Sequence, residues 1–237
     1  MSRLLVLWDV DHTLVDAGGA GRELYRIVFR EMFGRDMPRP GPMAGRTDRA
    51  IVLDLLTRAG VPEPGRRVYA FQALMAARAL GVADLVRERG RALPGAAESL
   101  AAVRDGRAGP EVVQSLLTGN IRPLAEVKLG ALGLTAHLDL DAGAYGDAHE
   151  VRAELVRVAR TNAARGYGYD FGGRATVLVG DTPLDVAAAL ATGARAVAVA
   201  TGRFSAAELD AAGAHAVLPD LADTDRVLAG IRGPRAL

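Results

Sequence analysis

The stretch Arg3-Leu4-Leu5-Val6-Leu7-Trp8-Asp9-Val10-Asp11 decides how the chain is read. Leu4–Trp8 run without a polar break, and two acids follow at Asp9 and Asp11. A short apolar run of this kind reads as a strand buried in a parallel sheet, with its carboxyl end entering a polar site. Two carboxylates two residues apart repel, and such a pair raises one pKa or recruits a cation. Two acids in a solvated turn have the same spelling, so this pair alone leaves both readings open.

Two later clusters share the placement. Glu111–Leu117 (EVVQSLL) reads as a strand leading into Thr118-Gly119-Asn120 and then a helix from Pro123 to Leu132, stopped by Gly133. A hydroxyl and free backbone N–H groups at a strand end form a cradle for phosphate or an oxyanion. A turn with Pro123 in the helix's first turn is the simpler reading of this cluster by itself. Ala175–Val179 (ATVLV) is the clearest later strand, followed by Gly180-Asp181-Thr182-Pro183-Leu184-Asp185 and a helix over Pro183–Ala191. A hard cation such as Mg²⁺ takes one or two carboxylates and keeps several waters. A capping box with Thr182 as N-cap explains Asp185. It does not explain Asp181, which follows a buried strand as Asp9 does.

Outward from these clusters, Gly18, Gly19 and Gly21 mark a flexible connection. Arg22–Met32 carries Leu24, Ile27, Val28 and Met32 on one helical face. Pro38, Pro40 and Pro42 break the pattern, and Arg49–Ala59 is a second apolar-faced helix. Arg66–Leu80 and Val82–Arg91 supply one long helix or two shorter ones. Leu138–Tyr145 reads as a further strand, Ala153–Ala164 as a helix, and Ala194–Ala200 and Ala216–Leu218 as the closing strands. Strands alternating with helices imply an α/β core with a mostly parallel sheet. The expected division is a core of residues 1–16 and 92–237, split by an all-helical insert at 17–91. An insert beside strand ends is well placed to cover a site.

Composition narrows the function classes. The 237 residues are 50% hydrophobic and 24% charged, which excludes a mainly disordered chain. A net charge of +1 advertises neither nucleic acid nor an anionic membrane, and neither partner is expected. The absence of cysteine excludes disulfides, thiolate catalysis and cysteine-ligated metal centres. Met1-Ser2-Arg3 is followed by only five apolar residues before Asp9, no signal peptide is expected, and the expected location is cytoplasmic. No apolar run reaches the ~18–20 residues of a membrane span. Of the 29 basic residues, Lys128 is the single lysine.

The order DVDHTL (9–14), LLTGN (116–120) and VLVGDTPLD (177–185) resembles the haloacid dehalogenase superfamily over the whole chain, in its phosphoglycolate phosphatase and phosphomutase-like branch. The resemblance implies a Rossmann-like core, with the insert as an α-helical cap of the type placed after the first strand. It also implies Mg²⁺ and phosphoryl transfer through an aspartyl-phosphate. By resemblance Asp9 is the nucleophile and Asp11 the acid/base. Thr118 holds phosphate oxygens, helped by N–H groups around Gly119 and Asn120. Mg²⁺ sits on Asp9, the Asp11 backbone carbonyl and Asp181, supported by Asp185.

The family's phosphate-facing cation usually belongs to a Lys-Pro pair, which is absent here. Arg152 matches it by position and Lys128 by chemistry; both are kept, with Arg152 slightly favoured. His12 stands where the family often has Gly and is assigned no chemistry. Gly45-Arg46-Thr47-Asp48 resembles a cap loop that faces substrate, where Arg46 would meet a second anionic group. Equally, Thr47 or Asp48 caps the following helix. Gly18–Gly21 would hinge core and cap.

The expected function is a Mg²⁺-dependent phosphatase of a small phosphorylated metabolite, phosphoglycolate-like or a sugar phosphate. A phosphomutase keeps the same residues. A haloacid dehalogenase needs neither Asp11 nor Asp181, and the lysine-free insert speaks against a Schiff-base phosphonatase. A non-catalytic phosphate-binding protein is the remaining alternative. No stripe specifies an oligomer, although an apolar cap surface could pair two protomers.

Overall fold

The computed structural model describes residues 3–109 and 111–233, so the Met1-Ser2 opening and residues 234–237 of the second core segment lie outside the described residues. Strand β1 (Leu4–Trp8) leads through a turn to the short strand β2 (Val15–Asp16). Four helices follow: α1 (Ala20–Phe33), α2 (Asp48–Arg58), α3 (Pro64–Arg78) and α4 (Ala83–Arg89). Strand β3 (Arg91–Ala92) then returns antiparallel to β2, placing Val15 opposite Ala92 and Asp16 opposite Arg91. The remainder alternates: α5 (Ala96–Arg104), β4 (Val112–Leu116), α6 (Arg122–Ala131), α7 (Arg152–Tyr167), β5 (Thr176–Gly180), α8 (Pro183–Ala191), β6 (Arg195–Val199), α9 (Ala206–Ala211), β7 (Ala216–Leu218) and α10 (Thr224–Arg232).

β4, β1, β5, β6 and β7 form one five-stranded sheet in that order, every pair parallel. The apolar run at the amino end is the reason β1 sits inside it. Val6 and Trp8 join the core on one face, while Leu5 and Leu7 join the core on the other, and all four are fully buried. Trp8 keeps its indole N–H satisfied on Gln114 Oε1 at 3.2 Å. The chain leaves β1 for β4 on one side and later enters β5 on the other. Strand order therefore reverses at β1, and a crevice opens beyond the carboxyl ends of these three strands.

The chain departs from the sequence pattern in four places. Leu138–Tyr145 is not a strand. Asp139 Oδ1 accepts from the N–H groups of Asp141 and Ala142, which closes a turn, and only an isolated bridge joins Ala144 to Leu117. On α1 the buried stripe is Ala20, Leu24, Tyr25, Val28 and Phe29, and Ile27 and Met32 are only half-buried. The stripe is rotated because the aromatic rings of Tyr25 and Phe29, rather than the aliphatic flank, turn inward. Gly21 lies within α1 and Gly19 is its N-cap, so the interrupted connection reduces to Gly18 and Gly19, with φ of 60° and 88°. Finally, Pro64–Arg89 is continuous helix, a 3₁₀ turn at Ala79–Val82 joining α3 to α4. At 26 residues it is long and apolar enough to cross a membrane by length and composition, although Arg78 and Asp84 break the apolar run within it. Its Val68, Phe71, Met75, Ala79, Val82 and Val86 are buried in the larger of the two cores.

A sheet covered on both faces tolerates no void at its centre. Leu7 pairs in register with Ser115 and Leu178 and has no exposed surface. Leu7→Ala is expected to lower unfolding free energy by about 3 kcal/mol, read from the urea midpoint. A loss below about 1 kcal/mol would contradict the packing described.

Candidate active site

Three adjacent strand ends bring the acids together. Asp9 follows β1, and its N–H donates to Val179 O of β5 at 2.8 Å. Leu117, just beyond β4, donates to Trp8 O at 2.9 Å, which sets Thr118 beside Asp9. Asp181 follows β5 directly. A cavity of about 440 Å³ lies over them, lined among others by Asp9, Asp11, Thr118, Lys128, Arg152 and Asp181.

The two cations left open by the sequence both reach this cavity, and they face different acids. Arg152, the first residue of α7, is buried; its Nη2 lies 2.9 Å from Asp9 Oδ1 and 2.5 Å from Asp185 Oδ1. Its guanidinium also donates to Leu117 O at 3.2 Å and Gly45 O at 3.3 Å. Burial depresses the Arg152 pKa, but the charges of Asp185 and Asp9 outweigh it and raise it. Lys128, on α6, instead donates to both Asp11 oxygens at 2.7 and 2.6 Å and to Asn120 Oδ1 at 2.7 Å. Burial raises the Asp11 carboxyl, but Lys128 and Asn120 together overcome that and hold it below the ordinary value. Asn120 is the joint of this half of the site. Its Nδ2 donates to Asp11 Oδ2 and to Thr118 Oγ1, each at 2.8 Å. That leaves the Thr118 hydroxyl hydrogen and the Gly119 N–H without an acceptor among the described residues, both at the cavity wall.

Asp9 and Asp181 are the strained carboxyls. Burial pushes Asp9 up to about 6; Arg152 opposes it, and Asp185 and Asp11 add repulsion. Burial pushes Asp181 further, to about 9, with Asp9 and Asp185 adding repulsion. Asp181 is buried, and no side chain or cation among the described residues pairs with its carboxylate. Asp9, Asp181 and Asp185 each present an oxygen within 4.8 Å of the others, a buried set able to hold a metal ion. Asp185 is already occupied, because Thr182 donates to its Oδ2 from N–H and hydroxyl at 3.1 and 2.6 Å in a capping box of α8. Gly202 closes the wall behind Asp181: a Cβ there would fall 1.9 Å from Asp181 Oδ2, so any side chain would displace the carboxylate.

The helical insert contributes in ways that spacing did not show. The Arg46 guanidinium turns back on its own segment, donating to Pro42 O at 3.0 Å and Ala50 O at 3.1 Å with Asp54 at 3.5 Å. Arg46 lines the cavity with its charge committed elsewhere. Thr47, not Asp48, caps α2. Asp48 joins insert to core instead. It accepts from the Tyr25 hydroxyl at 2.5 Å and from Ile121 N–H at 2.7 Å, and its own N–H donates to Gly119 O at 2.6 Å. Burial lifts Asp48 to about 6 against those two donors. Only the surplus of acid after Thr47 hints at this, since its partners lie 23 and 73 residues away. His12 takes a φ of 59°, a left-handed conformation that suits Gly better than a side-chain-bearing residue.

A family model described as haloacid dehalogenase-like hydrolase matches residues 6–190. A hydrolase from Pseudomonas syringae has the same fold at 21% identity, with TM-score 0.64 over 98% of this chain and 100% of that one. A predicted phosphatase from Clostridium acetobutylicum is 15% identical, with TM-score 0.66 over 96% of this chain and 99% of that one. A candidate beta-phosphoglucomutase from Bacteroides vulgatus is 16% identical, with TM-score 0.61 over 98% and 89%. No curated protein matches the chain in sequence.

Both raised carboxyls hold their protons more tightly in the folded chain than unfolded. Their contribution to stability is fully present below the unfolded value near ~4 and is lost as pH rises through about 6 for Asp9 and about 9 for Asp181. A divalent cation must displace the Asp181 proton, so its apparent affinity should climb roughly tenfold per unit from pH 7 towards 9. Calorimetric titration with Mg²⁺ should show about one proton released near neutral pH. Affinity that is flat across this range would contradict the assignment of Asp181.

Proposed function

The chain belongs to the haloacid dehalogenase-like hydrolases, and from that premise we propose that it is a Mg²⁺-dependent phosphatase of small phosphorylated metabolites, with Asp9 as nucleophile. The observation that carries this reading is the pair of strand-end carboxyls, Asp9 braced by Arg152 and Asp181 with no cation paired to it among the described residues. The first is a group at a cavity wall oriented by a cation; the second is a buried acid that favours positive charge beside it. A haloacid dehalogenase has no use for the second.

Asp9, Asp181 and the Asp11 backbone carbonyl would hold Mg²⁺, with Asp185 behind them tying Arg152 to the set. Mg²⁺ held there would supply positive charge that offsets the repulsion between a carboxylate and an anionic phosphate. An Asp9 oxygen attacks phosphorus as the bond to the ester oxygen breaks. The Thr118 hydroxyl, the Gly119 N–H and the Arg152 guanidinium are the donors for the equatorial oxygens. Asp11 protonates the departing oxygen, then takes a proton from the water that attacks phosphorus and frees Asp9. Lys128 holds Asp11 ionised in the present arrangement, so the first of these transfers requires that contact to yield as substrate enters.

Residues 17–91 serve as a cap over the core of residues 1–16 and 92–237. Bonds from Thr47, Asp48 and Arg49 to Glu150, Gly119 and Gly146 hold its loop against the core, in keeping with a lid that excludes water during transfer. A cavity of about 440 Å³ suits a small ester rather than a polymer.

Hydrolysis of an aryl phosphate should require Mg²⁺, stop with chelator, and fall on the order of a thousandfold or more in Asp9→Asn. Undiminished release of inorganic phosphate by Asp9→Asn would sink the proposal. Isomerisation of a sugar phosphate without release would assign the same residues to a mutase.

A further inference from the structure

The cavity's charges can be paired off one by one. Arg152 is held by Asp9 and Asp185, Lys128 by Asp11, and Arg46 by Asp54 and two carbonyls. Asp16 pairs with Arg91 at 2.8 Å, and Asp48 accepts from Tyr25. Two cavity-lining cations make no ion pair within 4 Å among the described residues, Arg22 and Arg203, although the charge of Arg203 still acts on Glu208. Both are exposed, unlike the buried Arg152 and Lys128, so they stand on the rim rather than at the floor. They come from opposite parts of the chain. Arg22 is in the first turn of α1 in the helical insert, and Arg203 lies in the loop after β6, beside the Gly202 that backs Asp181. The Arg203 guanidinium lies over the Phe204 ring at 5.2 Å, a contact that does not neutralise its charge.

The charge of the phosphoryl group is already answered at the floor, by Arg152 and by the cation that Asp181 calls for. Two further guanidiniums at the rim are a surplus that a neutral sugar tail would leave unused. A planar fork of donors matches a carboxylate or a second phosphate. We infer that the substrate is a small phosphate monoester carrying a second anionic group, and that Arg22 and Arg203 select it. This rests on the phosphatase reading above, because that reading sets which end of the substrate lies at the floor. Neither arginine takes part in the chemistry; their work is specificity.

The test separates this inference from the reading it rests on. With Mg²⁺ present, phosphonoacetate and ethylphosphonate, which share a phosphonate head and differ in tail charge, are titrated into wild type, Arg22→Ala, Arg203→Ala and the double variant. Wild type should bind phosphonoacetate about tenfold or more tighter, as expected for a charge-assisted contact. The preference should shrink in each single variant and fall to within about twofold in the double variant, with ethylphosphonate binding unchanged. Equal affinity for the two probes in wild type, or a preference that survives in the double variant, overturns the inference. Aryl phosphate turnover is followed in the same four proteins. Its absence in wild type counts against the phosphatase reading alone, while its retention in the double variant is expected because the aryl ester has no second anion.

Discussion

Everything at this site depends on the cost of burying negative charge at the carboxyl ends of three parallel strands. β1 and β5 each deliver a carboxylate into the same dry corner, and the register between them leaves no room to separate the two. One guanidinium, from Arg152, bridges Asp9 and Asp185 and lowers that cost without removing it. The residue of the cost appears as carboxyls at about 6 and about 9, groups that favour a proton or a cation over isolation. A protein selected for stability alone would replace such a cluster with apolar side chains. Its presence is the mark of a site.

The second half of the site solves a related problem differently. Asp11 is a partly exposed acid, and Lys128 and Asn120 fold around it from α6 and from the loop after β4. Asn120 thereby links the acid to Thr118, and Asp48 links the same loop to Tyr25 on α1. Chemistry-bearing residues and helical insert thus share one hydrogen-bonded framework. Movement of the insert is expected to reach Asp11 through that framework and not through any single hinge residue.

Much of this was legible in the sequence because it is written locally. An acid directly after an apolar strand needs no long-range information, and Asp9 and Asp181 are legible that way, whereas Thr118 alone reads as a turn and stands out only through the order of the three clusters. The capping box at Thr182 and Asp185 was legible for the same reason. The roles of Arg152 and Lys128 were not separable, since helix spacing does not say which acid a cation on α6 or α7 will meet. The structure answers with Asp11 for Lys128 and with Asp9 and Asp185 for Arg152. Asp48 and Tyr25 do not read as partners in the sequence, because burial of a tyrosine hydroxyl against an aspartate depends on how α3, packed on both α1 and α2, brings the start of α2 to α1. Leu138–Tyr145 looked like a strand by hydropathy, and the Asp139 side chain decided otherwise by capturing two N–H groups.

In the proposed reaction phosphorus becomes bonded to Asp9. The most direct measurement is to quench turnover of an aryl phosphate with hydroxylamine, which converts an acyl phosphate to a hydroxamate, and to map the modified peptide by mass spectrometry. A hydroxamate is expected at Asp9, formed only with substrate and Mg²⁺ present. Turnover that leaves Asp9 unmodified, or a hydroxamate on Asp11 or Asp181 instead, would contradict it.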